Sequence, residues 1–494
     1  MVVVGSGPGA LQLSYSLTRL GATHAVVSAD EGPGGMFRKW PFFQRMLSWT
    51  KPFAPFARRS REYERYDWNS LLADEEELRG LQADHMDGTS YFPSRQEMEA
   101  GLTAFADRAG VKVRYGCRWE STRPEGNGFV LGTSDGEYRA PVLVFAVGVA
   151  EPWRPSSTTG LDLARHYADM DDAEAYRGKD VFIVGKKNSA FEVANGLLPW
   201  ARSITLASPS PAKTSVETRS LVGVRARYVQ PIEDNALGGG VWVVNASIDA
   251  VERTGSGFRV KTHYSDGSGS HVFDADEVIA ATGFQAPLLD LPKLGVTTFG
   301  QSGVPAQGAF WECPTVPGIY FAGTLSQGAA GLNKHGVPSN SGAVHGHRYN
   351  ARVLAQHIAG AHFGVAAPRE PLEAGAVVGR LLDELSGQPG YGAEIFHQRS
   401  YLARVISIDA GEGVYDEGIQ PLTHFLDAGG PDAVAATLET NSGGDIYPAI
   451  YVRRRGAAID EKILDQDVLL DFRGEKQQER LTELLAPLLG ATVK

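Results

Sequence analysis

The sequence predicts an α/β protein: two Rossmann-like dinucleotide-binding domains, the first split in two by the second, followed by a C-terminal α+β appendix. Three observations carry this. Two strand–turn–helix fingerprints stand far apart in the chain, at Val2–Ala10 and Asp180–Ala190. An apolar strand from Glu277 ends in Ala281-Thr282-Gly283, where the chain is expected to return from the inserted domain to the first. A later strand, Ile319-Tyr320-Phe321, runs into Ala322-Gly323-Thr324. The expected boundaries are 1–150 and 276–365 for the split domain, 151–275 for the insert and 366–494 for the appendix.

The first fingerprint is Gly5-Ser6-Gly7-Pro8-Gly9-Ala10 after three apolar β-branched residues. Gly5 permits the tight turn, Gly7 lets the backbone approach a pyrophosphate, and Ala10 is small enough for helix–strand packing. The helix from about Leu11 to Leu20 aims its N-terminal amides at the phosphates. Ser28 stands at the end of the second strand, where an acid is expected to meet the adenosine ribose, and Asp30 or Glu31 is expected to take over. Gly35, Met36 and Phe37 are expected to wrap the far side of this nucleotide unit, and Gly148 ends the strand Leu143–Val147 on the outward path.

The second fingerprint keeps Gly185 and Ala190 but places Lys187 where the phosphate-facing glycine belongs. Its Cβ obstructs the backbone approach, although its ammonium can reach a phosphate. Asn188 and Ser189 open the following helix, and the nearest bases after the next strand are Lys213 and Arg219. This reads as a nicotinamide-nucleotide domain with an altered site. Gly283, Gly323 and Thr324 complete the nucleotide-binding set, Thr324 replacing the usual aspartate with a hydroxyl. A helix from Ser341 to His357 would bring Ala343 and a positive dipole end to the flavin pyrimidine edge.

Composition bounds the class. Apolar content of 43% and charged content of 21% suit a globular protein. The net charge of −11 disfavours nucleic acid and anionic membrane as partners, and no apolar run of about 18 residues suggests a membrane span. With two cysteines, Cys117 and Cys313, far apart and outside any C-x-x-C, a redox-active disulfide is not expected. No metal-spaced Cys/His set occurs, so no metal site is expected. The first strand starts at Val2 without a signal peptide and the chain ends without a retention tetrapeptide, so the expected location is cytoplasmic.

The layout resembles the flavin-containing monooxygenases and, more closely, the FAD-dependent oxidoreductase domain-containing proteins and their bacterial relatives. The matching stretches are Asp67–Leu72, Tyr91–Pro93, Asn188–Glu192 and Gly342–Tyr349, with Ser400–Arg404 similar as well. The resemblance implies tightly bound FAD and redox chemistry linked to NADPH or NADH. In Leu47–Pro52, Thr50 holds the place where related monooxygenases often carry an Asn, with Lys51 beside it. The expected activity is single-component monooxygenation of a small molecule with dioxygen, at nitrogen, sulfur or carbon, through a flavin C4a-hydroperoxide. The rival readings are an FAD oxidase or non-redox flavoprotein with a degenerate NADPH site, and a flavin-bearing interaction protein. Lys51, Asn69 and His345 are the candidates beside the isoalloxazine.

Other segments carry weaker expectations. Pro41–Phe56 lacks any period and reads as a flavin or substrate wall. Arg58, Arg59, Arg61 and Arg65, interspersed with Glu62 and Glu64, read first as a solvated face and second as a carboxylate-substrate site. His345 and His347, two apart, do not share a helical face. The appendix carries no catalytic motif and is expected to cap the site or form an oligomer interface.

Overall fold

The computed structural model describes residues 1–38, 45–218, 223–329, 331, 334–335, 339–388, 390–409 and 413–490. Arg219 and residues 41–44 of the aperiodic loop lie outside them.

Val2–Val4 forms a fully buried strand because three β-branched residues fill both faces of a covered parallel sheet. It pairs in parallel with Ala25–Val27 on one side and Leu143–Phe145 on the other, and Ile319–Phe321 closes the four-stranded order. One sheet therefore collects strands from both ends of the first 330 residues, as the split-domain reading requires. The helix Pro8–Arg19 starts directly after the first strand, with Pro8 in its first turn and Gly7 as N-cap. The long helix Val344–Phe363 packs beside it, and Ala10, Leu13, Leu17, Leu354 and Ile358 share one core.

The insert is built on a seven-stranded sheet in which Ser203–Ser208, Asp180–Val184, Glu277–Ala280 and Arg165–His166 run parallel in that order. Phe258–Tyr264 and Ser270–Ala275 continue it as an antiparallel edge beside Val241–Arg253. Glu277–Ala280 thus pairs inside this sheet, so the insert's sheet runs past the expected limit at 275. A three-stranded meander, Trp119–Glu125, Gly128–Thr133 and Gly136–Ala140, hangs on the first sheet.

The appendix is α+β. Its six-stranded sheet pairs antiparallel throughout, with Leu402–Asp409 and Asp432–Thr440 in the middle. The helices Val377–Ser386 and Glu475–Leu489 cover one face, burying Leu381, Leu385, Leu481 and Leu485 against Ile406, Val434 and Ile450. Among the described residues no helix is long and apolar enough to cross a membrane.

The appendix is tied to the first domain by buried charge. Arg61 pairs with Glu64 and with Glu394 of the appendix. Glu62 and Glu64 are buried, and Arg58 and Arg59 pair with Asp84. The segment is therefore not the solvated face that its charge alternation suggested: its carboxylates face an interdomain seam. Arg348, 1% exposed, donates to the Ser70 and Glu64 carbonyls and to Tyr349 Oη on the first domain's side of this seam.

Candidate functional site

A single cavity of about 850 Å³ runs along the carboxyl ends of the first sheet, under the insert and up to the appendix. Open α/β sheets place ligands at this end.

At its heart is the first glycine turn. Gly5 has φ of +127°, and a Cβ there would stand 2.5 Å from the Ala146 carbonyl oxygen, so only glycine fits. Gly7 has ordinary extended dihedrals, and a Cβ there would meet nothing within 4 Å: it would project into open space at the cavity wall. Gly9 presses backbone to backbone on Gly323, whose φ is +66°. Ala10 lies behind the turn, fully buried. The helix that follows has no side-chain cap, which leaves its first amides for an anion.

Asp30 lines the cavity beyond the second strand. Ser6 Oγ and Ser28 Oγ donate to its carboxylate at 2.9 and 3.1 Å, and Ser28 Oγ also accepts from the Asp30 amide. Ser28 thus acts through Asp30, in the position expected for a ribose-binding acid. Glu31 stands outside the lining. Gly35, with φ of +55°, comes within contact of Gly7, and Met36 and Phe37 continue the wall. Gly148, Thr324 and Ala343 also line it, and Ala343 is the uncapped N-cap of Val344–Phe363. These residues fit an extended dinucleotide. The glycine turn would take its pyrophosphate, Asp30 its ribose, and the second helix N-terminus the electron-rich edge of its far ring system.

The insert repeats the geometry with one change. Gly185 has φ of +136°, and a Cβ there would stand 2.5 Å from the Ala281 carbonyl oxygen, matching Gly5 and Ala146. Asn188 and Ser189 reach the cavity; Gly185, Lys187 and Gly283 do not. Lys187 is the exposed N-cap of Asn188–Leu197. Lys186 turns inward, its Nζ donating to Asn245 Oδ1, and burial lowers its pKa to about 8. Gly283 instead accepts the Trp153 amide, and His166 Nε2 approaches its carbonyl at 3.0 Å.

The three isoalloxazine candidates are not brought to the cavity wall. Lys51 is exposed, and its carbonyl accepts the Tyr63 hydroxyl. Asn69 is buried: it accepts from Ser48 Oγ at 2.6 Å and donates to Thr50 Oγ1 at 3.1 Å. It therefore positions Ser48, which does line the cavity together with Arg45, Met46 and Leu47. His345 turns away to stack on Trp68, with ring centroids 4.3 Å apart. Its neighbour His347 faces the cavity instead, as helical phase requires of residues two apart. Neither ring nitrogen of His347 finds a partner of hydrogen-bond geometry among the described residues, and burial pushes its pKa down to about 4.

A second polar group in the wall has no local signal in the sequence. Glu192 accepts the Tyr167 and Tyr228 hydroxyls at 2.7 and 2.6 Å, and burial raises its pKa. Glu192 was visible as part of Asn188–Glu192, but its tyrosine partners come from distant segments. Arg399, Ser400 and Thr440, all from the appendix, close one end of the cavity. No cysteine lines it; Cys117 and Cys313 are buried in the core of the first domain.

Comparison with known proteins agrees with this geometry. "FAD-dependent oxidoreductase domain-containing protein 2" of Danio rerio is 33% identical over 233 residues, 45% of this chain and 33% of that protein. The Mus musculus protein of the same name is 30% identical over 234 residues, covering 45% and 34%. The chain spans about a third of the length of these curated relatives. Among solved structures, Bacillithiol Disulfide Reductase from Staphylococcus aureus superposes with a TM-score of 0.57 at 16% identity, covering 73% of this chain and 98% of that one. A flavin-containing monooxygenase from Stenotrophomonas maltophilia gives 0.54 at 18% identity, covering 73% and 97%. At such identities the likeness is one of fold, and it bears out the two-dinucleotide architecture. The family described as pyridine nucleotide-disulphide oxidoreductase matches residues 2–323, some two thirds of the molecule, and the chain belongs to that family.

Proposed function

We propose that this chain, an FAD-dependent oxidoreductase, is a single-component monooxygenase of a small organic molecule. The observation that carries this reading is the cavity itself: large enough for a dinucleotide and a substrate, polar at both ends, and without a cysteine in its lining. A reductase working through its own disulfide needs a thiol pair at the flavin, and the fold neighbours alone do not choose between reductase and monooxygenase. FAD held here would relay two electrons from a nicotinamide nucleotide to dioxygen, so that one oxygen atom goes to the substrate and the other leaves as water. The chain's own residues do the rest. Gly5–Gly9 and Asp30 hold the dinucleotide, and Ala343 places a helix N-terminus at its far end. Glu192, held by Tyr167 and Tyr228, places a carboxyl whose pKa burial raises at the mouth of the insert.

Lys187 favours a second reading, an oxidase or non-redox flavoprotein that has lost ordinary NADPH use. The turn around Gly185 is intact, so the fault is confined to one side chain. Oxygen uptake by the holoprotein with NADPH and with NADH tests both. Monooxygenation predicts nucleotide-dependent uptake and no turnover of low-molecular-weight disulfides; disulfide reduction without oxygen uptake would sink it. Lys187→Gly should tighten NADPH binding and speed flavin reduction. Slower reduction would mean that Lys187 grips a phosphate, and would remove the second reading.

A further inference from the structure

The end of the cavity formed by the appendix lies outside the stretch that defines the family, residues 2–323. Arg399 lines it and is half-buried. Its Nε donates to Thr440 Oγ1 at 2.9 Å and its Nη1 to the Phe396 carbonyl at 2.6 Å. Both acceptors are neutral. Among the described residues no carboxylate forms an ion pair or hydrogen bond with this guanidinium, and its Nη2 has no partner. The charge that does lie near is of the same sign: Arg65 and Arg399 stand over one ring, that of Phe396, at 4.7 and 5.2 Å from its centroid. Burial first, and Arg65 second, lower the Arg399 pKa to about 10.

The other carboxylates of the cavity wall are engaged elsewhere, Asp30 with Ser6 and Ser28, Glu192 with its two tyrosines. A partly desolvated guanidinium beside a second one is unfavourable until an anion joins it. The segment carrying it is also held in place. His397 Nε2 meets the Glu64 carbonyl at 3.1 Å, and Gln398 Nε2 donates to Ser341 Oγ and Asn350 Oδ1. Ser400 is fixed by its amide on the Leu438 carbonyl, in a left-handed conformation with φ of 64° that a serine adopts only under restraint. A guanidinium at the cavity wall, fixed by its own segment and bonded only to neutral acceptors, marks a binding position.

We propose that Arg399, its guanidinium held by Thr440, recognises an oxyanion on the substrate, so that the substrate class is a small molecule bearing a carboxylate or a phosphate. Guanidinium geometry suits both groups. The inference deepens the monooxygenase reading and rests on it for the identity of the cavity as the reacting site.

Isothermal titration calorimetry on the flavin-loaded protein tests it, with benzoate as the carboxylate probe, benzamide as its neutral isostere and inorganic phosphate as the third. Benzoate should bind at least tenfold more tightly than benzamide. Arg399→Gln should weaken benzoate at least tenfold and leave benzamide unchanged. Arg399→Lys should retain part of the difference, and Thr440→Val should lose a smaller factor. Phosphate displacing benzoate at lower concentration would mark a phosphate-bearing substrate, and failure to displace it a carboxylate; both support the oxyanion site. Equal affinity for benzoate and benzamide would overturn the proposal. So would an Arg399→Gln variant with unchanged benzoate affinity, whether or not its flavin potential moved, since that would assign Arg399 to the cofactor or to structure. A protein that carries no flavin fails the functional reading instead, and calorimetry still reports on Arg399 in that case.

Discussion

Gly9→Ala should yield a protein that is less stable to urea and poor in flavin, although alanine is the better helix former by about 1 kcal/mol. The new Cβ would fall within 2.5 Å of the Gly323 nitrogen and closer still to its Cα, both backbone atoms. No rotamer change relieves such a contact. Either the helix Pro8–Arg19 or the turn after Ile319–Phe321 must shift, and both line the cavity. Overpacking typically costs about 1–3 kcal/mol, and the backbone character of this contact puts it at the upper end. The sign is the diagnostic. A variant with a raised urea midpoint and full flavin would show that the two segments do not meet as described.

Acid should destabilise the protein well before its carboxylates titrate. His345 and His397 are buried together at the seam between the long helix and the appendix, and His347 is buried where the same helix meets the cavity. Desolvation leads the causes in each, with Arg348 adding repulsion, and all three have pKa values held below 6.5. The folded protein therefore keeps them neutral while the unfolded chain protonates them near pH 6.5. More protons bind the unfolded state, so stability rises with pH. Their contribution is fully present above about pH 6.5 and is lost as pH falls toward the folded value, about 4 for His347. Each adds a slope of up to about 1.4 kcal/mol per pH unit inside its window, and together about 4. Urea midpoints between pH 7 and pH 5 should fall accordingly, and His347→Gln should flatten the profile. A flat profile in the unmodified protein would place at least two of these rings in water.

The parts legible in the sequence are those whose geometry is local. Gly5 and Gly185 announce turns that only glycine can make, and both turns are present with the same contact to a neighbouring carbonyl. Asp30 could be anticipated because only two acids follow the second strand. What failed depends on pairing and phase. The apolar run Glu277–Ala280 looks the same whichever sheet receives it; its partner Asp180–Val184, set by long-range pairing, places it in the insert. His345 and His347 are two apart, and only the packed helix decides which one meets the cavity. Asn69 is polar and buried, and its hydrogen bonds to Ser48 and Thr50 come from a loop with no readable period. Arg399 and Thr440 had no signal at all. A lone arginine in an aperiodic stretch is ordinarily surface, and its position at the cavity is a product of how the appendix docks through Arg61, Glu64 and Glu394.

Flavin content of the purified protein, measured beside Gly7→Asp, decides whether the Gly5–Gly9 turn holds FAD. A Cβ at Gly7 meets no protein atom within 4 Å, and the residue's φ of −74° suits any side chain. The substitution is therefore expected to leave the fold intact and to place a carboxylate where the pyrophosphate belongs. The unmodified protein should carry about one FAD per chain, and the Gly7→Asp variant should be colourless with unchanged circular dichroism. A colourless unmodified protein, or a Gly7→Asp variant with full flavin occupancy, would contradict that assignment.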